Sequence, residues 1–252
     1  MTKLYEDERI DFVNDKLSLI QKPEGLTFGT DALLLAGFMD CRGAVGVELG
    51  AGSGIISMLL LSRGKLKTAV CLEVQEEYAD LTKRNAELNG LSDRLTSLHT
   101  DIREYKISGE ADAVYTNPPY MKSDSGLSNF LDAKNIARHE IKGGIEDFTA
   151  SAARILKFGG SFFAVYRPDR LTDLIFAMRK SGIEPKRITF VHSDLKSESS
   201  MVLIEGKRGG KSGMRLTPPL VIYESEGSRE YSSDMKFIME NGSFPEKFLG
   251  KR

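Results

Sequence analysis

At 252 residues, 40% of them hydrophobic and 28% charged, the chain can bury a substantial core as one large domain with or without appendages. A formal net charge of −1 excludes a surface coated with basic residues, so any nucleic-acid binding must use a local patch. Cys41 and Cys71 stand far apart without metal-ligand spacing, no apolar run approaches the ~20 residues of a membrane span, and the N-terminus lacks a signal peptide's apolar core. Reduced cysteines, no metal, no membrane and a cytoplasmic location are the expectations.

Residues 1–29 are polar with scattered apolar positions (Leu17, Leu19, Ile20), which suggests a short strand pair or an irregular lead-in. Thr30 or Asp31 is a plausible N-cap for the apolar helix that follows, and the turn before that helix is a candidate ligand contact. Val45 to Ile56 then reads as strand, glycine loop, helix, with Gly50, Gly52 and Gly54 at alternate positions. Glycines there permit unusual φ and close backbone approach, and the helix aims its unpaired N–H groups at a ligand. The spacing differs from the dinucleotide G-x-G-x-x-G, whose third glycine would fall at Ile55. Glu48 beside the loop would repel a pyrophosphate and attract a ligand carrying an ammonium and a sulfonium, as S-adenosylmethionine does.

Thr68 to Leu72 reads as a second strand ending in Glu73, which lies 19 residues after Gly54. That spacing suits an acid taking up ribose hydroxyls at the tip of the neighbouring strand. A helix over 76–89 is stopped by Gly90, and a third strand near 95–98 leads to Asp101, a candidate acceptor for an adenine amine or a helix-capping aspartate. The next strand, near 113–115, is cut off by Asn117-Pro118-Pro119-Tyr120. Neither proline can donate to a ladder, and Asn117 is pushed toward an extended conformation, so a stiff turn forms at the strand's carboxyl end. The Asn117 amide oxygen and the Pro118 carbonyl can accept both N–H bonds of a planar amine while Tyr120 stacks on it.

Residues 121–143 form a long polar segment in which Arg138 and His139 are candidate substrate contacts. A helix over 145–156 is expected to end at Phe158-Gly159-Gly160, followed by a strand over 161–166 and a helix over 170–181. A hairpin over 187–191 and 201–205 comes next. Lys207, Arg208, Lys211 and Arg215 then make a run without acids that reads as a flexible, phosphate-seeking loop or a solvated connector. Three parts are expected: a lead-in and short helix (1–40), a core (41–206), and a basic loop with an extension packing on that core (207–252).

Glycine loop, Glu73, Asp101 and the Asn117 turn fall on successive strand ends, and with them the chain resembles a class I S-adenosylmethionine-dependent methyltransferase. More narrowly, the lead-in Leu19 to Lys22 with Thr27 to Ala32, Ala137 to Glu140 and Tyr166-Arg167-Pro168 are similar to the bacterial family that methylates the exocyclic amine of adenosine 37 in valine tRNA. The resemblance implies an α/β, Rossmann-like fold whose seven-stranded, mostly parallel sheet carries helices on both faces and has its last strand antiparallel. It implies S-adenosylmethionine held by Thr30, Asp31, Glu48, Gly50, Gly52, Gly54, Glu73, Asp101 and Asn117, and tRNA as partner of a protein expected to be a monomer. It implies catalysis by Asn117, Pro118 and Tyr120. The same turn serves enzymes acting on guanine, cytosine or a glutamine side chain, and a non-catalytic RNA-binding protein on this scaffold is the reading from another class.

Overall fold

The computed structural model describes residues 3–22, 29–41, 43–118 and 144–249. Strands β1 (Arg9–Asn14) and β2 (Leu17–Gln21) pair antiparallel as a hairpin before helix α1 (Thr30–Phe38). Then come β3 (Ala44–Leu49), α2 (Ile55–Ser62), β4 (Leu66–Glu73), α3 (Glu76–Leu88), β5 (Leu95–His99) and β6 (Ala111–Thr116). Helix α4 (Ile145–Ile155), β7 (Leu156–Tyr166), α5 (Leu171–Lys180), β8 (Ile183–His192) and β9 (Ser199–Arg208) complete the main alternation. Two short strands, β10 (Arg215–Leu216) and β11 (Leu220–Val221), and helix α6 (Ser233–Asn241) follow.

The main sheet runs β10-β8-β9-β7-β6-β3-β4-β5, with β11 also on β8. Among the described strands of this sheet only β9 is antiparallel to its neighbours. Strands β3, β4 and β5 lie successively to one side, and β6 returns to the other side of β3. The carboxyl ends of β3 and β6 therefore border the crevice where open α/β sheets reverse strand order and bind ligands. Thr116 donates from Oγ1 to the Leu49 carbonyl at 2.8 Å, tying these two strand ends together.

Side-chain alternation along the strands divides the core. Ala113, Tyr115, Phe163 and Val165 face a cluster with α1 and α2, while Val114, Phe162 and Ala164 face one with α4 and α5. Apolar on all sides, α1 is buried between the sheet and α6. Leu220, Ile222, Met235, Ile238, Phe244 and Phe248 join the first cluster.

Four expectations change. Among the described residues the sheet has nine strands, because β10 and β11 supply backbone partners to the outer edge of β8. Gly29 is the N-cap of α1 and no side chain caps it; Asp31 is turned elsewhere. Helix α4 ends at Ile155 and β7 starts at once, so the Gly159-Gly160 pair serves an irregularity in β7, with Gly159 at φ +79° and a register shift opposite Ala111/Ala113. Lys207 and Arg208 belong to β9, whose pairing with β8 reaches Ile183, so they are not part of a loop.

Candidate active site

The glycine loop leaves β3 with Gly50, Gly52 and Gly54 all at positive φ, +68°, +56° and +77°. An L side chain is strained in each of these conformations. At Gly54 space is also short, since a Cβ would lie 2.7 Å from the Thr82 methyl. Gly50 and Ala51 donate their N–H groups to the Leu72 carbonyl at 2.9 and 3.1 Å, which docks the loop on the end of β4. From that strand end, Glu73 accepts the Gly52 N–H at 2.9 Å on one oxygen and the Gln75 N–H at 2.9 Å on the other. The carboxylate is 5% exposed in this arrangement, and each oxygen keeps a second lone pair. Helix α3 braces the loop from behind: Thr82 donates to the Gly52 carbonyl at 2.7 Å. Asn85 donates to the Ser53 carbonyl at 3.1 Å while exchanging hydrogen bonds with the Ile20 backbone of β2.

Glu48 departs from its expected role. It is 1% exposed, and its Oε2 accepts from the Ser57 N–H at 3.1 Å and the Ser57 hydroxyl at 2.5 Å. Ser57 Oγ lies 2.6 Å from the Tyr115 hydroxyl, and the Cys71 thiol donates to Ser57 at 3.2 Å. Burial pushes the Glu48 carboxyl up to about 8, so at neutral pH it is largely neutral. It braces the first turn of α2 from within the core.

Asn117 stands just past β6, beside Gly50 across the strand pair. Its Nδ2 donates to Asp31 Oδ2 at 2.7 Å, across 86 residues of sequence. A carboxylate can only accept, so this bond settles which end of the amide faces Asp31 and aims Oδ1 away from it. Asp31 also accepts the Ala32 N–H on Oδ1 at 2.9 Å, and a Cβ on Gly29 would fall 2.7 Å from that oxygen. Thr30 opens α1 at the same place, and Pro118 is buried. Asp101 lies past the end of β5, where it accepts the Arg103 N–H at 2.8 Å and pairs with the Arg103 guanidinium at 2.5 Å. That hydrogen bond holds the Asp101 carboxyl below the usual carboxylate range.

Thus Asp31, Gly50, Gly52, Gly54, Glu73, Asp101, Asn117 and Pro118 share the carboxyl end of the sheet, while Tyr120, Arg138 and His139 lie outside the described residues. The basic run does not join them. Strand β9 is antiparallel to β7, so its last residues, Lys207 and Arg208, sit at the opposite, amino edge. Two of its four cations are committed to packing: Arg208 donates to the Leu156 carbonyl, and Arg215 to the carbonyls of Leu249 and Lys247. Sequence reading missed Asp31 as the partner of Asn117, and Ser57, Thr82 and Asn85 as supports of the loop. Only Asn85 carried a signal, as an amide on an otherwise apolar helix face.

Comparison with known proteins bears on this arrangement. A tRNA1(Val) (adenine(37)-N6)-methyltransferase of Dyadobacter fermentans is 26% identical over 200 residues, covering 79% of this chain and 82% of that protein. The protein of the same name from Porphyromonas gingivalis is 25% identical over 217 residues, covering 81% and 84%. Among solved structures, a predicted O-methyltransferase from Agrobacterium tumefaciens superposes with a TM-score of 0.69 at 24% identity, covering 85% of this chain and 98% of that one. TYW2 of M. jannaschii, solved in complex with AdoMet, has a TM-score of 0.56 at 15% identity, covering 82% and 89%. The fold is the class I, Rossmann-like methyltransferase fold. The family model described as methyltransferase small domain matches residues 24–173, a span that holds every residue gathered at the carboxyl end, and the chain belongs to that family.

Proposed function

We propose that this methyltransferase moves the methyl group of S-adenosylmethionine onto the exocyclic amine of an adenine in RNA, adenosine 37 of valine tRNA in particular. The observation that carries the reading is the Asn117 amide, oriented by Asp31 at the mouth of a glycine loop. The cofactor fits the residues present. Three left-handed glycines admit close approach of its methionine portion, and the N–H groups opening α2 face the same crevice. Glu73 has lone pairs for ribose hydroxyls, and Asp101 lies at the next strand end for the adenine. Thr30 and Asp31 border the crevice from α1.

Bound there, the cofactor supplies an electrophilic methyl group, so alignment is the chain's main task. Asn117 Oδ1 and the Pro118 carbonyl accept the two N–H bonds of the acceptor amine and turn its lone pair toward the methyl group. The same two acceptors stabilise positive charge as it develops on nitrogen. No separate general base is needed before transfer, since the leaving proton becomes acidic only once the nitrogen carries the methyl group. An anticodon-loop position such as 37 is unpaired and costs least to draw out of its stack. The names of the relatives at 25–26% identity over most of the chain support adenine in tRNA over another planar nitrogen.

The test is single-turnover methylation of valine tRNA at saturating RNA, with nucleoside mass spectrometry of the product. Asn117→Ala is expected to fold and bind S-adenosylmethionine like the parent while transferring at least ~10²-fold more slowly, as for a lost transition-state acceptor. An Asn117→Ala enzyme of undiminished rate would remove the residue from this role. Methylation at guanine, or of protein alone, would move the acceptor to another planar nitrogen.

A further inference from the structure

The amino edge of the sheet, far from Asn117, carries an exposed aromatic ring among cations that no part of the methyl-transfer site uses. Phe158 is 84% exposed although it sits within β7, a strand otherwise largely buried beyond Gly159. Its ring lies against the backbone of Gly209, where an added Cβ would overlap the ring carbons. Gly209 has φ +68°, so the close approach and the backbone conformation both call for glycine. Lys207 and Lys211 flank this ring on either side of Gly209 in the chain; both are exposed, and neither ammonium makes an ion pair or hydrogen bond among the described residues.

No acid occurs between Glu205 and Glu224. The neighbouring carboxylates are already engaged, Asp112 by Lys157 at 2.8 Å and Glu184 by Arg179 at 3.2 Å. Lys186 reaches over to donate to the Lys211 and Gly213 carbonyls at 2.9 and 2.8 Å, which anchors the turn that displays Lys211. The loop is therefore held in place while Lys207 and Lys211, on either side in the chain of the glycine that the ring covers, remain uncommitted.

We propose that this edge is a binding surface for single-stranded RNA, with a base stacked on Phe158 and the adjoining phosphates on Lys207 and Lys211. An accessible ring suits an unpaired base, whose π-face is open, better than a duplex, whose faces are hidden in the stack. Exposed lysines close in sequence to the glycine that the ring covers supply positive charge for a phosphodiester running past it. The inference does not rest on the identity of the methyl acceptor.

The experiment is fluorescence anisotropy of a short labelled single-stranded RNA with the full chain, over a series of salt concentrations. Phe158→Ala should weaken binding about tenfold and Phe158→Tyr should restore it. Lys207→Gln with Lys211→Gln should lower the slope of log affinity against log salt by roughly 1.4, about 0.7 for each phosphate that is no longer neutralised. Both changes are on the surface, so the melting temperature and S-adenosylmethionine affinity should stay at the parent values. Equal affinities and parallel salt lines for parent and variants would overturn the proposal. So would variants that lose binding to phosphatidylserine vesicles yet keep RNA affinity, because the edge would then be a membrane-facing one.

Discussion

Asn117 and Asp31 form the pair on which the site's geometry depends. Asp31→Ala removes the acceptor that holds the Asn117 amide, and the loss of one hydrogen bond to a charged group corresponds to about 1.5–3 kcal/mol. The transfer rate should fall about tenfold or more, whereas Asp31→Asn, which keeps an acceptor oxygen, should recover most of it. Calorimetry on the same variants separates the roles: weaker S-adenosylmethionine binding at unchanged single-turnover rate would assign Asp31 to the cofactor alone. Glu48 supports a second prediction. Its folded value is raised from 4.5 to about 8 by burial. Below pH 4.5 the carboxyl is protonated in both states and stability is full; between 4.5 and about 8 only the unfolded chain sheds its proton, so stability falls as pH rises. Glu48→Gln should flatten that decline, read as melting temperature against pH. An unchanged pH profile would show that Glu48 is charged in the folded protein.

At the scale of elements, α1 brings Asp31 to the site and is itself held at its far end by two buried cations. Lys65 donates to the carbonyls of Ala36, Gly37 and Met39 at 2.8, 2.9 and 2.7 Å. Arg187 donates to the Phe38 carbonyl at 2.8 Å, with its guanidinium 3.8 Å from the Phe38 ring centroid. Carbonyls left over at a helix C-terminus are thereby satisfied, and positive charge stands where the helix dipole favours it. Burial lowers the Lys65 ammonium to about 8. Lys65→Met strands those carbonyls and should destabilise the protein by about 1–3 kcal/mol in urea unfolding. The helix over 30–38 was legible from its apolar run, but neither cation was, because residues 65 and 187 carry no local mark of where they will meet a helix end.

For the whole molecule, the segment after β9 completes the core as well as the sheet edge. Phe244 packs edge-on against Phe38 at 5.6 Å and Phe248 at 5.3 Å between ring centroids, and both Phe244 and Phe248 are at most 2% exposed. Removing such a ring leaves a cavity beneath α1, so Phe244→Ala should cost about 3–5 kcal/mol of stability. Denaturant unfolding measures this, and a loss below about 1 kcal/mol would mean that the extension adds little to the core. The candidate site lies at the carboxyl end of the sheet, and Lys207 and Arg208 lie at its amino end.

Local features were readable without coordinates. The strand–glycine loop–helix order around Gly50, Glu73 at the next strand end and the abrupt stop at Asn117-Pro118 depend on backbone propensity and hydrophobic period, which act over a few residues. So the first strand–helix alternations and the class resemblance could be drawn from residues 45–120, whereas the narrower family resemblance also used residues 19–32, 137–140 and 166–168. Tertiary structure decided the rest. Glu48 became a buried support because α2 folds back over it, and the lysine run went to the far edge because β9 is antiparallel. Asp31 met Asn117 across 86 residues because α1 and β6 end at the same crevice. Contacts between residues so far apart are set by strand order and chain direction, and neither quantity is encoded in the spacing of residues along one segment.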